Sequence, residues 1–274
     1  MLTRPIPSSG EALPVVGLGT YQVFDVGTAR AARAPLAEVL RILFEAGGTV
    51  VDSSPMYGRA EGVAGDLLAE PGQAGPAFIA TKVWTEGRAR GIARMRESLG
   101  LLRAETIALM QIHNLVDWQT QLATLRDWKA AGTIRYIGIT HYTPSAFAEL
   151  EDVIEATRPD FVQLPYSIVV RDAERRLLDV AAANNVAVMV NRPYEGGGLF
   201  GKTRGRKLPG WAADFDCQSW GQFFLKYLLG HPAVTCVIPA TARPGHMADN
   251  VAAGQGGLPD AETRARMAAL ADGL

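Results

Sequence analysis

Four apolar runs in this chain stop at a polar, mostly ionisable residue, and that recurrence constrains the fold more than any other feature. Val50-Val51 ends at Asp52, Phe78-Ile79-Ala80 at Thr81-Lys82, Ile107 to Ile112 at His113, and Ile134 to Ile139 at Thr140-His141. Short apolar runs between turn signals read as buried strands. Several such strands with functional side chains at their carboxyl ends imply one parallel barrel whose active site lies on that face. The chain has 274 residues, close to the ~250 typical of a single α/β barrel.

The rest of the chain keeps the same rhythm. Residues 3 to 20 read as a hairpin around Ser8-Ser9-Gly10 that plugs one end, then a strand from Val15 to Leu18. Pro35 opens a helical pattern with Leu36, Val39, Leu40 and Leu43 on one stripe, and Gly47-Gly48 ends it. Strands are expected at 49–52, 77–81, 106–112, 134–139, 161–164, 186–190 and 234–238, with helices near 60–69, 88–99, 117–130, 144–156, 173–184 and 219–229. Helical stretches near 244–253 and 260–272 close the chain. Alternation of this kind implies βαβ units. An open doubly wound sheet would show a glycine fingerprint at its first crossover, and Gly17-Leu18-Gly19-Thr20-Tyr21-Gln22 lacks the third glycine. The expected fold is therefore α/β, a (β/α)8 TIM barrel with an N-terminal β-hairpin and an extra C-terminal helix, spanning residues 1–274 as one domain. One long irregular stretch, 192–216, carries Gly196-Gly197-Gly198 and the basic run Lys202 to Lys207. The run reads as a solvated loop beside a phosphate-clasping alternative.

Charge composition narrows the function classes. Lysine plus arginine (27) nearly balances aspartate plus glutamate (28), so no global field draws the chain to nucleic acid or an anionic membrane. No run approaches the ~18 apolar residues of a membrane span, and the amino terminus has no apolar signal core. A soluble, cytoplasmic protein is expected, with monomer as the default state. Cys217 and Cys236 lie in no paired ligand spacing and read as packing residues, so neither a disulfide framework nor a metal site is expected.

The strand ends carry coherent chemistry. Pro55 disfavours helix at Ser54, so Tyr57 sits on a βα loop able to turn back over the barrel mouth. Lys82 on the next strand would stay charged against Asp52 despite burial. A neighbouring ammonium lowers a phenol towards a range useful for proton donation, and His113 could orient a carbonyl oxygen or share the transfer. Taken singly, an aspartate before a helix is usually an N-cap, a tyrosine core or rim, and a lysine solvent-seeking. Asp52, Tyr57, Lys82 and His113 together suit protonation of a developing alkoxide. Tyr21 and Trp84 follow strand ends and read as pocket walls or packing residues.

These residues also carry a family likeness. Gly17-Leu18-Gly19-Thr20, Asp52-Ser53-Ser54-Pro55-Met56-Tyr57-Gly58 with Glu61, Thr81-Lys82, Gln111-Ile112-His113, Gly132 to Ile139, Gln163 and Ile238-Pro239 fall in the order of the aldo-keto reductase superfamily, which the chain resembles over nearly its whole length. The resemblance implies a barrel that binds an extended nicotinamide cofactor and reduces the carbonyl of an aldehyde or ketone. It implies Tyr57 as proton donor, Lys82 and Asp52 as the groups that tune it, and His113 as the substrate-orienting residue. Cofactor contacts are implied at Gly19, Thr20, Thr140, His141, Gln163, Asn191, Arg192, Pro193, Ile238, Pro239, Thr241, Arg243, Asp249 and Asn250. Thr140-His141 stands where many relatives have Ser-Asn, Asn191 where many have a stacking tyrosine, and Asn114 where a pocket tryptophan is usual. Arg243 remains for an adenosine 2′-phosphate, which favours NADP(H) over NAD(H). Two alternatives stay open: a nicotinamide-nucleotide-binding regulatory protein with little turnover, and a Schiff-base lyase using Lys82.

Overall fold

The computed structural model describes residues 1–70 and 77–274. A hairpin of β1 (Thr3–Pro5) and β2 (Ala12–Pro14) precedes β3 (Leu18–Gly19) and α1 (Arg30–Glu45). Strand and helix then alternate through β4 (Val50–Asp52), α2 (Ala60–Leu68), β5 (Phe78–Val83), α3 (Arg88–Leu101), β6 (Ile107–His113), α4 (Trp118–Ala130) and β7 (Ile134–Thr140). The second half continues with α5 (Phe147–Thr157), β8 (Phe161–Pro165), α6 (Leu177–Ala183), β9 (Ala187–Asn191), α7 (Gly198–Lys202), α8 (Trp220–Leu229) and β10 (Val234–Val237). Helices α9 (Pro244–Ala252) and α10 (Ala261–Asp272) end the chain.

Strands β3 to β10 pair in chain order and in parallel. The first and last meet through bridges Val16–Val237 and Gly19–Ala240, with the Val237 amide donating to Val15 O at 2.9 Å. The (β/α)8 architecture is thus present, with the expected N-terminal hairpin and with α10 as the additional C-terminal helix. Gly19 belongs to the seam: a Cβ there would lie 2.8 Å from the Ile238 carbonyl oxygen.

Side chains alternate across each strand, so one face of every strand fills the barrel interior. Val50, Phe78, Ala80, Leu109, Tyr136, Phe161, Ala187, Met189 and Cys236 form that inner cluster, and Ile6 and Leu13 of the hairpin join it as the plug. A step of two from these residues reaches the carboxyl ends. Val50 leads to Asp52, Ala80 to Lys82, Leu109 to Gln111 and His113, Phe161 to Gln163, and Met189 to Asn191. The second, larger cluster packs the outward strand faces against the helices, including the α1 stripe Leu36, Val39, Leu40 and Leu43.

Four local expectations change. The first barrel strand, expected from Val15 to Leu18, is Leu18–Gly19. Pro35 does not open α1 but lies inside it, one turn beyond Arg30. The added turn is exposed and rich in alanine and arginine, both strong helix formers, and Arg33 ties it to Asp66 of α2 at 2.7 Å. The helix expected at 173–184 is broken at Arg176, because Glu174 in the preceding 3-10 turn accepts from Tyr227 Oη and Arg264 Nη2, each at 2.7 Å, and so docks α8 and α10. The stretch 192–216 is not wholly irregular, since it contains α7 and a 3-10 turn over Gly210–Phe215.

Two helical glycines give opposite predictions. A Cβ on Gly65 would fall 2.1 Å from Leu101 O and 2.7 Å from the Leu102 backbone, whereas one on Gly100 meets nothing within 4 Å among the described residues. Gly65→Ala is expected to destabilise the fold by about 1–3 kcal/mol. Gly100→Ala is expected to stabilise it by about 0.5–1 kcal/mol. Thermal melts of the two variants check the opposite signs.

Candidate active site

The centre of the site is the pair formed by Asp52 at the end of β4 and Lys82 near the end of β5. Lys82 Nζ donates to Asp52 Oδ2 at 2.7 Å and to Ser53 O at 2.7 Å, and the two side chains are 0% and 3% exposed. Asp52 Oδ1 accepts from Gln111 Nε2 at 3.0 Å and Gln163 Nε2 at 2.9 Å, which completes its coordination from across the barrel. Gly138 makes this reachable, since a Cβ there would be 2.8 Å from Gln111 Cγ. Burial, the largest single influence, works against the Lys82 charge, but Asp52 and Tyr57 together outweigh it and the ammonium is held above the usual lysine value.

Tyr57 sits over this pair, with Lys82 Nζ 5.1 Å from its ring centroid. Its phenol is raised above the ordinary tyrosine value, because burial dominates and the Lys82 charge opposes it without cancelling it. The downward shift expected from the sequence is therefore not the net result. The phenol stays protonated through neutral pH and remains loaded as a donor.

His113 is 5% exposed and forms one side of the same mouth, its ring 6.2 Å from Tyr57 in an edge arrangement. Ser54 Oγ lies 3.2 Å from His113 Nδ1 and also receives the Met56 amide at 3.4 Å. With the hydroxyl donating to Nδ1, the ring proton resides on Nε2. Burial, then the Lys82 charge and His141, push the imidazole down to about 3, so it is a neutral donor.

The implied cofactor residues divide into two sets. Thr140, Gln163, Asn191 and the His141 backbone form one network. Gln163 Oε1 faces Thr140 Oγ1 and Asn191 Nδ2, each at 3.4 Å, and Asn191 Nδ2 lies 3.5 Å from His141 O. Because Gln163 Nε2 donates to a carboxylate, its Oε1 must point outward and orient the Asn191 amide, leaving Asn191 Oδ1 buried without a partner among the described residues. The His141 ring stacks on Tyr142 at 5.4 Å, its Nδ1 accepting from the Thr143 amide at 3.2 Å. Arg243, as N-cap, and His246, on α9, are exposed, and Pro244 is the first residue of the helix. Arg192, at φ 52°, is exposed at the end of β9 and Pro193 is buried.

The second set is engaged inside the protein. Thr20 is fully buried, with Oγ1 2.9 Å from Asp52 O and 3.0 Å from Ser53 Oγ. Gly19, Ile238 and Pro239 lie along the seam, where the Gly19 amide donates to Pro239 O at 3.3 Å. Thr241 Oγ1 accepts the Arg243 amide at 3.0 Å. Asp249 accepts from Ser219 Oγ at 2.6 Å and Gln222 Nε2 at 2.7 Å, and Asn250 Oδ1 accepts from Tyr194 Oη at 2.7 Å. These contacts tie α9 to α8 and to the segment after β9.

An orphaned acceptor amid orienting amides suits a carboxamide, and an exposed arginine at the amino end of α9 suits an anionic group, so the residues present fit a carboxamide-bearing dinucleotide. Tyr21 packs tilted against Tyr57, ring centroids 4.9 Å apart, and Trp84 tilted against His113 at 6.3 Å; both are exposed and wall the mouth. Asn114 Oδ1, in the residue after His113, is buried without a partner among the described residues. The residues missed from sequence are Gln111, Ser53 and Ser54 as supports, together with Glu61, which accepts from Thr81 Oγ1 and, at 3.2 Å, from Ser98 Oγ. Gln111 carried a readable signal, two residues before His113 on the same strand face.

The His113 environment predicts a pH dependence of stability. An unfolded histidine titrates near 6.5 and this one near 3, so between those values the unfolded chain binds the extra proton and stability falls as pH falls. The maximal slope from one such group is about 1.4 kcal/mol per pH unit. His113→Gln is expected to flatten the melting-temperature profile between pH 6.5 and 4 relative to the native chain.

Comparison with known proteins bears on the family and the fold. Aldo-keto reductase YhdN of Bacillus subtilis (strain 168) is 26% identical over 213 residues, which cover 72% of this chain and 63% of that one. An aldo-keto reductase of Mycobacterium sp. (strain KMS) is 31% identical over 155 residues, 53% of this chain and 52% of the relative. The chain thus spans less than two thirds of these curated relatives. Among solved structures, an aldo-keto reductase from Klebsiella pneumoniae in complex with NADPH superposes with a TM-score of 0.81 at 22% identity, covering 98% of this chain and 95% of that one. The holo form of a Bacillus halodurans aldo-keto reductase gives 0.79 at 22% identity, covering 98% and 96%. A sequence model described as the aldo/keto reductase family matches residues 15–271, and the chain belongs to that family.

Proposed function

We propose that this protein is an NADP(H)-dependent reductase of aldehydes or ketones in which Tyr57 is the proton donor. The observation that carries the reading is the buried Asp52–Lys82 pair with the Tyr57 ring 5.1 Å from the ammonium. Membership of an oxidoreductase family supports it, as does the NADPH bound by the Klebsiella relative. Arg243 and His246 at the start of α9 are the groups proposed to meet the adenosine 2′-phosphate. Thr140, His141, Gln163 and Asn191 are proposed to hold the nicotinamide end, with Arg192 and Pro193 leading into the phosphate-side segment. Asp249, Asn250 and Thr241 are proposed to support the adenosine end from positions already fixed by hydrogen bonds, and Gly19, Thr20, Ile238 and Pro239 to support the cofactor along the seam.

The cofactor, when bound, supplies a hydride from nicotinamide C4 to the substrate carbonyl carbon. His113 Nε2 holds the carbonyl oxygen by a hydrogen bond. As negative charge develops there, Tyr57 Oη transfers its proton to that oxygen, and the adjacent Lys82 charge stabilises the phenolate left behind. A raised phenol suffices, because an alkoxide is a stronger base than a phenolate. Asp52 keeps Lys82 charged, and Tyr21 and Trp84 exclude water. The Asn114 acceptor suits a substrate with a hydroxyl or N–H near the carbonyl. The Schiff-base reading needs a neutral lysine, and the ion pair at 2.7 Å opposes that.

NADPH oxidation over a panel of aromatic and aliphatic carbonyls tests the reading. Tyr57→Phe should lower turnover by about 10²–10⁴-fold, with NADPH binding, read by fluorescence, unchanged. Tight NADPH binding without oxidation against any carbonyl would favour the regulatory alternative, and absence of NADPH binding would overturn the proposal.

A further inference from the structure

The loop bearing Tyr57 is joined at three levels to the loop that follows β3. At the root, the Thr20 amide donates to Asp52 O at 3.0 Å and its hydroxyl meets Asp52 O and Ser53 Oγ. At mid-height, the Tyr21 and Tyr57 rings pack against each other at a tilt of 59°, centroids 4.9 Å apart. At the tip, Asp25 Oδ1 accepts from the Arg59 amide at 3.1 Å and from Arg59 Nε at 2.9 Å. Between them lies Gly58, at φ 63°, where a Cβ would fall 2.5 Å from Asp25 Oδ2. The carboxylate therefore occupies the space next to the residue that follows Tyr57, and only glycine leaves it room.

We propose that Asp25 is a positioning residue for Tyr57, capping the Gly58–Arg59 turn so that the phenol stays over Lys82. The proposal rests on the reading of Tyr57 as proton donor. Arg59 Nη2, 3.5 Å from Asp25 O, is the one further polar contact that Arg59 makes with this loop among the described residues. The ion pair itself is exposed, its side chains 65% and 44% accessible, so its direct contribution to stability is small. Its effect lies in geometry, where small misplacements of a catalytic group cost much more in rate than in fold stability.

The test uses the full chain with NADPH and 4-nitrobenzaldehyde. Asp25→Ala should lower kcat roughly five- to tenfold while the NADPH dissociation constant and melting temperature stay close to native values. The solvent deuterium isotope effect on kcat should rise, because proton transfer becomes slower. Asp25→Asn keeps an oxygen for the Arg59 amide and should recover most of the loss. In a Tyr57→Phe background, Asp25→Ala should have no further effect. Arg88→Ala, which removes an exposed pair with Asp127, serves as the unchanged control. An Asp25→Ala variant within twofold of native kcat, or an Asn variant as impaired as the Ala variant, would overturn the proposal. Full turnover by Tyr57→Phe alone would instead sink the proton-donor reading and leave the latch without its object.

Discussion

The buried pair of Asp52 and Lys82 is the interaction on which the site depends. Two ions out of water are costly, and the arrangement is tolerable because both are paired and further hydrogen-bonded. Lys82 Nζ reaches Asp52 and Ser53 O, and Asp52 receives two amide donors besides the ammonium. Removing one partner would strand the other in an apolar surround, at a cost of about 3–5 kcal/mol. The pair also orders what surrounds it. A carboxylate accepts only, so it dictates which way the Gln111 and Gln163 amides face, and through Gln163 it sets the Asn191 amide. The Lys82 charge further helps to keep His113 neutral.

Closure of the barrel makes such a pair possible. Asp52 and Gln163 are 111 residues apart and meet at 2.9 Å because strands β4 and β8 face each other across the interior. The seam between β3 and β10 needs Gly19 for its close approach, and the same end of β3 sends Thr20 to the backbone of Asp52. Stability and site geometry are thereby linked through one strand end. On the outer side, Glu174 fastens α8 and α10 around the barrel without touching the site.

Much of the architecture was legible because it follows from periodicity. Strand-end polarity at Asp52, Lys82, His113 and Thr140 is a local pattern, and alternation then places all four on the interior face. What failed was mostly a competition between local signals. Pro35 tolerates an extra helical turn before it when that turn is exposed and built of good helix formers, and Arg176 breaks a continuous pattern because Glu174 is committed elsewhere. Gln111 was readable by its step of two from His113, but its target on another strand was not.

The sequence by itself determined the barrel, the strand ends that carry ionisable groups and the family to which the chain belongs. Those depend on order, spacing and residue type. Only the tertiary structure decided the protonation states and the orientations. Desolvation is a property of everything packed around a group, so the upward shift of Tyr57 could not be read from the presence of Lys82 alone. Likewise the family resemblance implies cofactor contacts at Thr20, Asp249 and Asn250, yet their side-chain oxygens are already held by partners remote in the chain. Hydrogen-bond direction propagates from the Asp52 carboxylate through contacts that exist only once the strands have closed on one another.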